Sequence, residues 1–492
     1  SMYGAVLENI SESTVRTAIS YYGKKYSFEK VLFWIDRLAD NLAAEYSIGK
    51  GKCVTLCMPN SPAALLFYYA ANKLGAIVNL VHPFLPPEKL KESVRRTDSC
   101  LLLVYDLYKC GSYDFGVPTM VSDSSYFMGA VAKAYYKCTN KRTAFGYIPF
   151  EQYLKKRRHP RVPAAEWGVD EPAVYLASGG TTGEPKIIVH NNLVFNKLCA
   201  KAEEFLSEPL QNYSALYNVL PIFHGFGLCI NMHMCMLMRR TNIMCIKFNA
   251  KMSAKQIIRG KANILTGVPT MFVKLLGEKT FTQGDLSHIK DVYVGGDSVP
   301  QPLIDSFNAA LEKGGSHARM YVGYGLTETV TVCLVNTLAH HRENSIGYPL
   351  SGTKVRIEKE GAEAPVGEVG EILLQSDQFM LGYLHEQSAP FVTIDGEKWL
   401  KTGDYGFLYF KQRIKNMIKV SGVPVYPSEI EEVAGSVAGV AKVCAVGIPD
   451  EVKGQVVRLF VECRQGADRA SAEREILEAC RRRLIAYAVP KE

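Results

Sequence analysis

No two cysteines in this chain form a Cys-x-x-Cys pair, and the total of 13 is odd. That spacing excludes a paired zinc ribbon or a thioredoxin-like motif. It gives no disulfide framework either, so a reducing cytoplasm is the expected compartment. Long apolar runs are missing too. The longest, around Ala63 to Val81, is interrupted by Asn72 and Lys73, whereas a bilayer span needs about 20 largely apolar residues. Ser1-Met2-Tyr3-Gly4 lacks the basic-then-apolar order of a secretory signal. Strong charge is also absent, with a net charge of +8 over 492 residues. The densest basic run, Lys155 to Arg161, reads as a solvated linker. A nucleic-acid binder would join such a cluster to a recognisable fold and exposed aromatics. There is no short-period repeat and no low-complexity segment.

What remains is an ordinary globular composition, 47% hydrophobic and 22% charged, long enough for about three domain-sized units. The first third alternates short β-rich runs with helical patterns: strands at Cys53 to Met58, Ala76 to Val81 and Leu101 to Tyr105, helices at Pro62 to Leu74 and Pro87 to Arg96. Such alternation predicts a doubly wound, mostly parallel α/β sheet. The alternation resumes after residue 190, with a helix over Asn192 to Leu206, strands at Ala262 to Thr266, Asp291 to Val294 and Met320 to Val322, and a helix over Leu303 to Glu312. Two similar α/β lobes are expected. From about 345 to 410 the texture is turns and short strands, a small β-subdomain. The expected division is a large domain over 1–412 and a small mobile α+β domain over 413–492. In the latter, Ser428 caps a helix with Glu431 at capping-box spacing.

The two lobes flank the stretch Tyr175 to Asn192. An apolar strand runs into Ser178-Gly179-Gly180-Thr181-Thr182-Gly183, then Lys186, then a second β-rich run. Three glycines among three hydroxyls let backbone N–H groups turn inward around an anion, with Lys186 as an added cation. A plain hairpin loop that binds nothing is the competing reading. Lys186 does not directly follow Gly183, so this is not a Walker loop. Leu176 occupies the first glycine position of a nucleophile elbow, which excludes that as well.

Ser-Gly-Gly-Thr-Thr-Gly-x-Pro-Lys resembles the phosphate loop of the adenylate-forming enzymes, which include acyl-CoA synthetases, aryl-CoA ligases, luciferases and adenylation domains. Tyr324-Gly325-Leu326-Thr327-Glu328 resembles their second signature. The resemblance implies that Tyr324 stacks on adenine, Thr327 meets the α-phosphate and Glu328 ligates Mg²⁺. Gly295-Gly296-Asp297 resembles the backbone shelf beside adenine. Asp404 and Arg413 resemble the ribose contacts, Lys415 the hinge, and Lys419 with Gly422 the loop that swings in on the CoA side. His224, in Pro221-Ile222-Phe223-His224-Gly225-Phe226-Gly227, is implied to border the acyl carboxylate and the phosphates. The resemblance extends through Gly382-Tyr383 and from about Tyr26 onward.

The implied activity uses ATP, Mg²⁺ and CoA. A carboxylic acid becomes an acyl-adenylate with pyrophosphate release, and a thiol then takes the acyl group and releases AMP. Lys186, His224, Thr327, Glu328 and Lys419 are the expected catalytic set. No acid lies in Phe223 to Phe226 to meet an α-ammonium, so a fatty or aryl acid is expected. Transfer to a carrier protein is an alternative to CoA, and a non-catalytic nucleotide- or acyl-binding protein is another. Ile187, Gln412 and Asn416 depart from the family pattern, and the connection from Asp404 to Arg413 is short. A family lysine expected about a dozen residues beyond Pro490 has no counterpart before Glu492, so the natural protein is expected to continue.

Overall fold

The computed structural model describes residues 1–10, 16–155, 159–178, 186–386, 390–407, 409–413, 418–420, 423–450 and 453–491. It divides into two compact units, one of residues 1–353 and 376–389, the other of residues 354–375 and 390–492.

The first unit holds two α/β sheets. Among the described residues, eight strands make one of them. Its parallel heart runs Val174–Ala177, Ile77–Leu80, Cys53–Cys57, Ser99–Tyr105 and Thr119–Ser122, with Ile148–Pro149 at one edge. Antiparallel Ile187–His190 and then Gly382–Tyr383 complete the other edge. Cys53–Cys57 and Ile77–Leu80 are buried along their whole length, as befits strands covered by helices on both faces. The helix Pro62–Lys73 between them is buried on every side. Ser61 caps it by accepting from the Ala64 N–H, and Pro62 opens it.

Nine strands make the second sheet among the described residues. Parallel Thr241–Met244, Ala215–Asn218, Ile264–Gly267, Asp291–Val294 and Met320–Gly325 form its centre, with antiparallel Val332–Val335 beyond. The N-terminal hairpin Thr17–Tyr21 and Lys24–Ser27 joins this sheet, with Ile19 opposite Asn242. The two lobes are therefore stitched by the chain's first strands. The helix expected over Asn192 to Leu206 is two helices, Asn192–Ala200 and Ala202–Phe205, broken at Lys201. The run Met232 to Met238 is packed into the core.

The second unit contains a β-sheet built on Gly370–Ser376, Glu397–Phe407 and Tyr409–Arg413. It also contains a four-stranded sheet in the order Val423–Val425, Ile418–Val420, Gly454–Cys463, Val440–Asp450. Helices Pro427–Gly435 and Arg469–Arg483 supply Ile430, Val433, Ile476 and Cys480 to the core on that sheet. Ser428 is not the cap: Pro427 takes the first helical position and Tyr426 the cap. Proline's fixed φ and missing N–H suit that first position. Glu431 instead accepts from the Ala445 N–H at 2.9 Å, tying helix to strand. No described helix is long and apolar enough to cross a membrane, and all 13 cysteines are free.

Candidate active site

The glycine- and threonine-rich stretch joins two antiparallel neighbours, with Ala177 opposite Ile187 and Val174 opposite His190. Its stems are pinched together. The Ser178 N–H donates to the Lys186 carbonyl at 2.8 Å, and the Lys186 N–H donates to Ser178 Oγ at 3.1 Å. Gly179, Gly180, Thr181, Thr182 and Gly183 lie outside the described residues. Ile187, where the family has glycine, is buried with Cys53, Ile77 and Tyr175. The departure there fills a core position.

Lys186 leaves the second stem towards the edge strand Gly382–Tyr383. Its Nζ is 2.6 Å from Glu386 Oε2 and 4.4 Å from the centre of the Tyr383 ring. At the other end of the same side chain, the Tyr383 hydroxyl donates to Glu328 Oε1 at 3.0 Å. Burial, and then the Glu328 carboxylate, push the Tyr383 phenol well up, so it stays a donor. The lysine of the first signature and the carboxylate of the second thus meet across one tyrosine.

The second signature lies where Met320–Gly325 ends. Gly325 has no room for a side chain, since a Cβ there would overlap the Thr331 carbonyl. The strand turns into a short 3-10 segment, Thr327–Thr329, and the Thr331 N–H donates to the Thr329 carbonyl at 2.8 Å. That bond closes a γ-turn on Val330, at φ 68° and ψ −58°. A β-branched residue there is strained, a feature that gathers at functional sites. The turn is held from several sides. His190 Nε2 lies 2.8 Å from the Thr327 carbonyl, and the Met380 N–H donates to the Glu328 carbonyl at 2.8 Å. Complete burial pulls the His190 pKa down to about 4 despite that carbonyl. The ring is neutral, and because a carbonyl only accepts, its proton sits on Nε2.

His224 faces the same turn from the other side through its neighbour Gly225, whose missing Cβ leaves room for the Val330 carbonyl. The ring is open to solvent, yet surrounding protein, and then His82, lower its pKa. The two observations agree for a side chain in a recess, reached by water but with much of its hydration replaced. Phe223 touches both imidazoles, with ring centres 4.5 Å from His224 and 4.6 Å from His82. Buried Asn60 shapes this approach. It donates to the Leu220 carbonyl at 2.8 Å and accepts from the Ile222 N–H at 3.1 Å.

Gly295, Gly296 and Asp297 follow the strand Asp291–Val294, the neighbour of Met320–Gly325. Gly295 abuts the Gly323 carbonyl, with no space for a Cβ, and Gly296 has φ +81°. These glycines therefore allow both a close backbone approach and a left-handed turn beside Tyr324. In the first unit the structure thus gathers Ser178, Lys186, His224, the Gly295 shelf, Tyr324, Gly325, Thr327 and Glu328 at the carboxyl ends of two parallel sheets. Ligands of α/β folds bind at such ends.

In the second unit, Asp404 is 2% exposed, on a strand that pairs it with Arg413. The short connection between them is a hairpin, with Phe407 opposite Tyr409. Lys419 lies on the strand Ile418–Val420. Lys415 and Gly422 are outside the described residues.

Sequence reasoning assigned no role to His190, Asn60 or Glu386, and treated Tyr383 only as part of a matching pair. The one signal for His190 was a histidine closing a β-rich run, a position more often structural. The others act through contacts 55 to 200 positions away, which no local pattern reveals.

Among the described residues no three histidine, cysteine, aspartate or glutamate side chains cluster to cage a metal. A Mg²⁺ ion brought by nucleotide phosphates needs only one or two protein carboxylates. Glu328 fits that need, because Oε1 is engaged by Tyr383 and Oε2 has no partner among the described residues.

Residues 7–384 match the AMP-binding enzyme family, and residues 429–492 match the AMP-binding enzyme C-terminal domain. The long-chain-fatty-acid–CoA ligase of Bacillus subtilis (strain 168) is 28% identical over 97% of this chain and 87% of its own length. That of Haemophilus influenzae is 26% identical over 100% and 91%. The solved o-succinylbenzoate CoA synthetase from Bacillus subtilis, in complex with ATP and magnesium, superposes with a TM-score of 0.79. It is 23% identical, over 99% of this chain and 94% of its own, a likeness of fold.

Proposed function

The chain belongs to the AMP-binding enzyme family, and from that membership we propose the part each residue takes in one two-step reaction. The reaction is the ATP-dependent activation of a carboxylic acid to acyl-adenylate and pyrophosphate, followed by transfer of the acyl group to CoA with release of AMP. The observation that carries the assignment of roles is the meeting of Lys186 and Glu328 across Tyr383.

In the first step a substrate carboxylate attacks the α-phosphorus and pyrophosphate leaves. Negative charge grows on the leaving group, so the site needs positioned donors and cations rather than a covalent nucleophile. Ser178 through Gly183 would cradle the phosphates, and Lys186 would pair with the leaving group. Thr327 would hold an α-phosphate oxygen. Glu328, with the phosphates, would hold Mg²⁺, which would supply further charge neutralisation. Tyr324 and the Gly295-Gly296-Asp297 shelf would bracket adenine, and Asp404 with Arg413 would take the ribose hydroxyls. His224, neutral at pH 7 because its pKa is lowered, would orient the carboxylate without adding charge. We also propose a domain boundary at 412/413 with its hinge at Lys415. Lys419 and Gly422 would enter for the thiol step, and the enzyme would work in the cytoplasm.

A fatty acid is the substrate class we propose. The curated relatives named above are long-chain-fatty-acid ligases, and Phe223 to Phe226 offers no acid for an α-ammonium. Screening alkanoic, aryl and α-amino acids for ATP-dependent pyrophosphate release, then adding CoA, tests the reading. Release with alkanoic acids and formation of their CoA thioesters is the expected result. Release with none of them overturns it.

A further inference from the structure

The segment from Met380 to Glu386 touches both halves of the phosphate-handling chemistry, although it belongs to neither signature. Its backbone is docked as an edge strand on the second stem of the loop. The Leu381 N–H donates to the Val189 carbonyl and the Leu384 N–H to the Ile187 carbonyl, each at 2.8 Å. The Met380 N–H holds the Glu328 carbonyl at the same distance. Between these anchors stands Tyr383, with its ring face beneath the Lys186 ammonium and its hydroxyl on Glu328 Oε1.

We propose that Tyr383 is a positioning residue for the adenylation step, orienting the Glu328 carboxylate for Mg²⁺ through its hydroxyl and the Lys186 ammonium for the phosphates through its ring. The proposal rests on the reading of Lys186 and Glu328 given above. A hydrogen bond to one carboxylate oxygen fixes the rotation of the group and leaves the other oxygen aimed. Such outer contacts to a metal ligand typically change affinity about 10–100-fold. An ammonium over a tyrosine face is restrained more weakly, by about 0.5–1 kcal/mol where exposed. Glu386 is the second restraint on Lys186, at 2.6 Å, and incoming phosphate would displace it. The two ends of the side chain are separable chemically, because phenylalanine keeps the ring and loses only the hydroxyl.

Titrating the full chain with ATP by calorimetry, in Mg²⁺ and again in EDTA, reads metal-dependent binding without any turnover. Wild-type protein is expected to bind ATP more tightly in Mg²⁺. Tyr383→Phe is expected to lose about tenfold of that gain while its affinity in EDTA stays unchanged. Tyr383→Leu is expected to lose the same gain and, in addition, to bind ATP about two- to fivefold more weakly in EDTA. A purely structural tyrosine would lower the melting temperature of both variants without separating the two titrations. A Tyr383→Phe protein that keeps the full gain from Mg²⁺ overturns the proposal and leaves the reading of Glu328 intact. Wild-type protein that gains nothing from Mg²⁺ overturns both.

Discussion

His190, at the end of one sheet's strand Ile187–His190, donates from Nε2 to the carbonyl of Thr327 just beyond the other sheet's Met320–Gly325 strand, 2.8 Å apart and 137 positions away in sequence. The bond ties the backbone of the second signature to the strand that carries the first.

The complete burial of the ring that makes this bond has a pH signature. The folded pKa of His190 is about 4, below the ordinary 6.5, so the unfolded chain binds the extra proton between those values. Its contribution to stability is complete above about pH 6.5 and is lost as pH falls towards 4. The full amount is on the order of 3 kcal/mol. His190→Gln can still donate to the carbonyl but does not titrate. Wild type should therefore lose more stability than this variant from pH 7 to pH 4.5 in urea unfolding. Glu151, whose pKa burial raises to about 7, acts in the opposite direction but is common to both proteins and cancels. Parallel pH profiles would contradict the assignment.

Gly225→Ala should disable the site from a distance. The added Cβ would overlap the Val330 carbonyl, which is backbone and already in a strained turn. Overpacking of this kind costs about 1–3 kcal/mol. Because His224 and the Thr327–Val330 turn must move apart, acid-dependent pyrophosphate release should fall by about 10²-fold or more, as when a reacting group is displaced by about 1 Å. A thermal melt alongside the rate assay separates the two effects.

Lys186→Met should leave stability almost untouched while removing activity. Its ion pair with Glu386 is solvent-accessible, with 44% and 35% of the two side chains exposed. Pairs of that kind contribute about 0–1 kcal/mol. Losing one oriented donor from the transition state typically costs about 10²–10³-fold in rate. The expected outcome is an unshifted melting curve with pyrophosphate release lower by that factor.

Glu386→Gln should do the reverse. With its partner neutral, Lys186 no longer leaves an ion pair to reach phosphate. The KM for ATP should fall by up to about fivefold, the equivalent of the pair's own worth. A raised KM would show that Glu386 helps the site rather than competing within it.

Much of the fold was readable because local patterning and tertiary context agree. Cys53–Cys57 and Ile77–Leu80 are mostly apolar, wholly buried strands, and the parallel α/β reading follows from them. The N-terminal hairpin was not placed, because pairing Ile19 with Asn242 is a long-range choice that the sequence near Ile19 does not encode. Ser428 misled for a local reason, since Pro427 competes for the start of the same helix and wins. The site was legible where chemistry demands particular residue types in a short run, as from Tyr324 to Glu328. Tyr383 and His190 were opaque, because what they do depends on which carboxylate or carbonyl the fold brings to them.

The most direct measurement is a crystal structure of the full chain with Mg²⁺ and a non-hydrolysable ATP analogue. The account predicts the triphosphate between the Ser178–Lys186 loop and Glu328, with the metal on the Glu328 oxygen that Tyr383 does not engage. A triphosphate bound elsewhere, or a metal without Glu328, would contradict it.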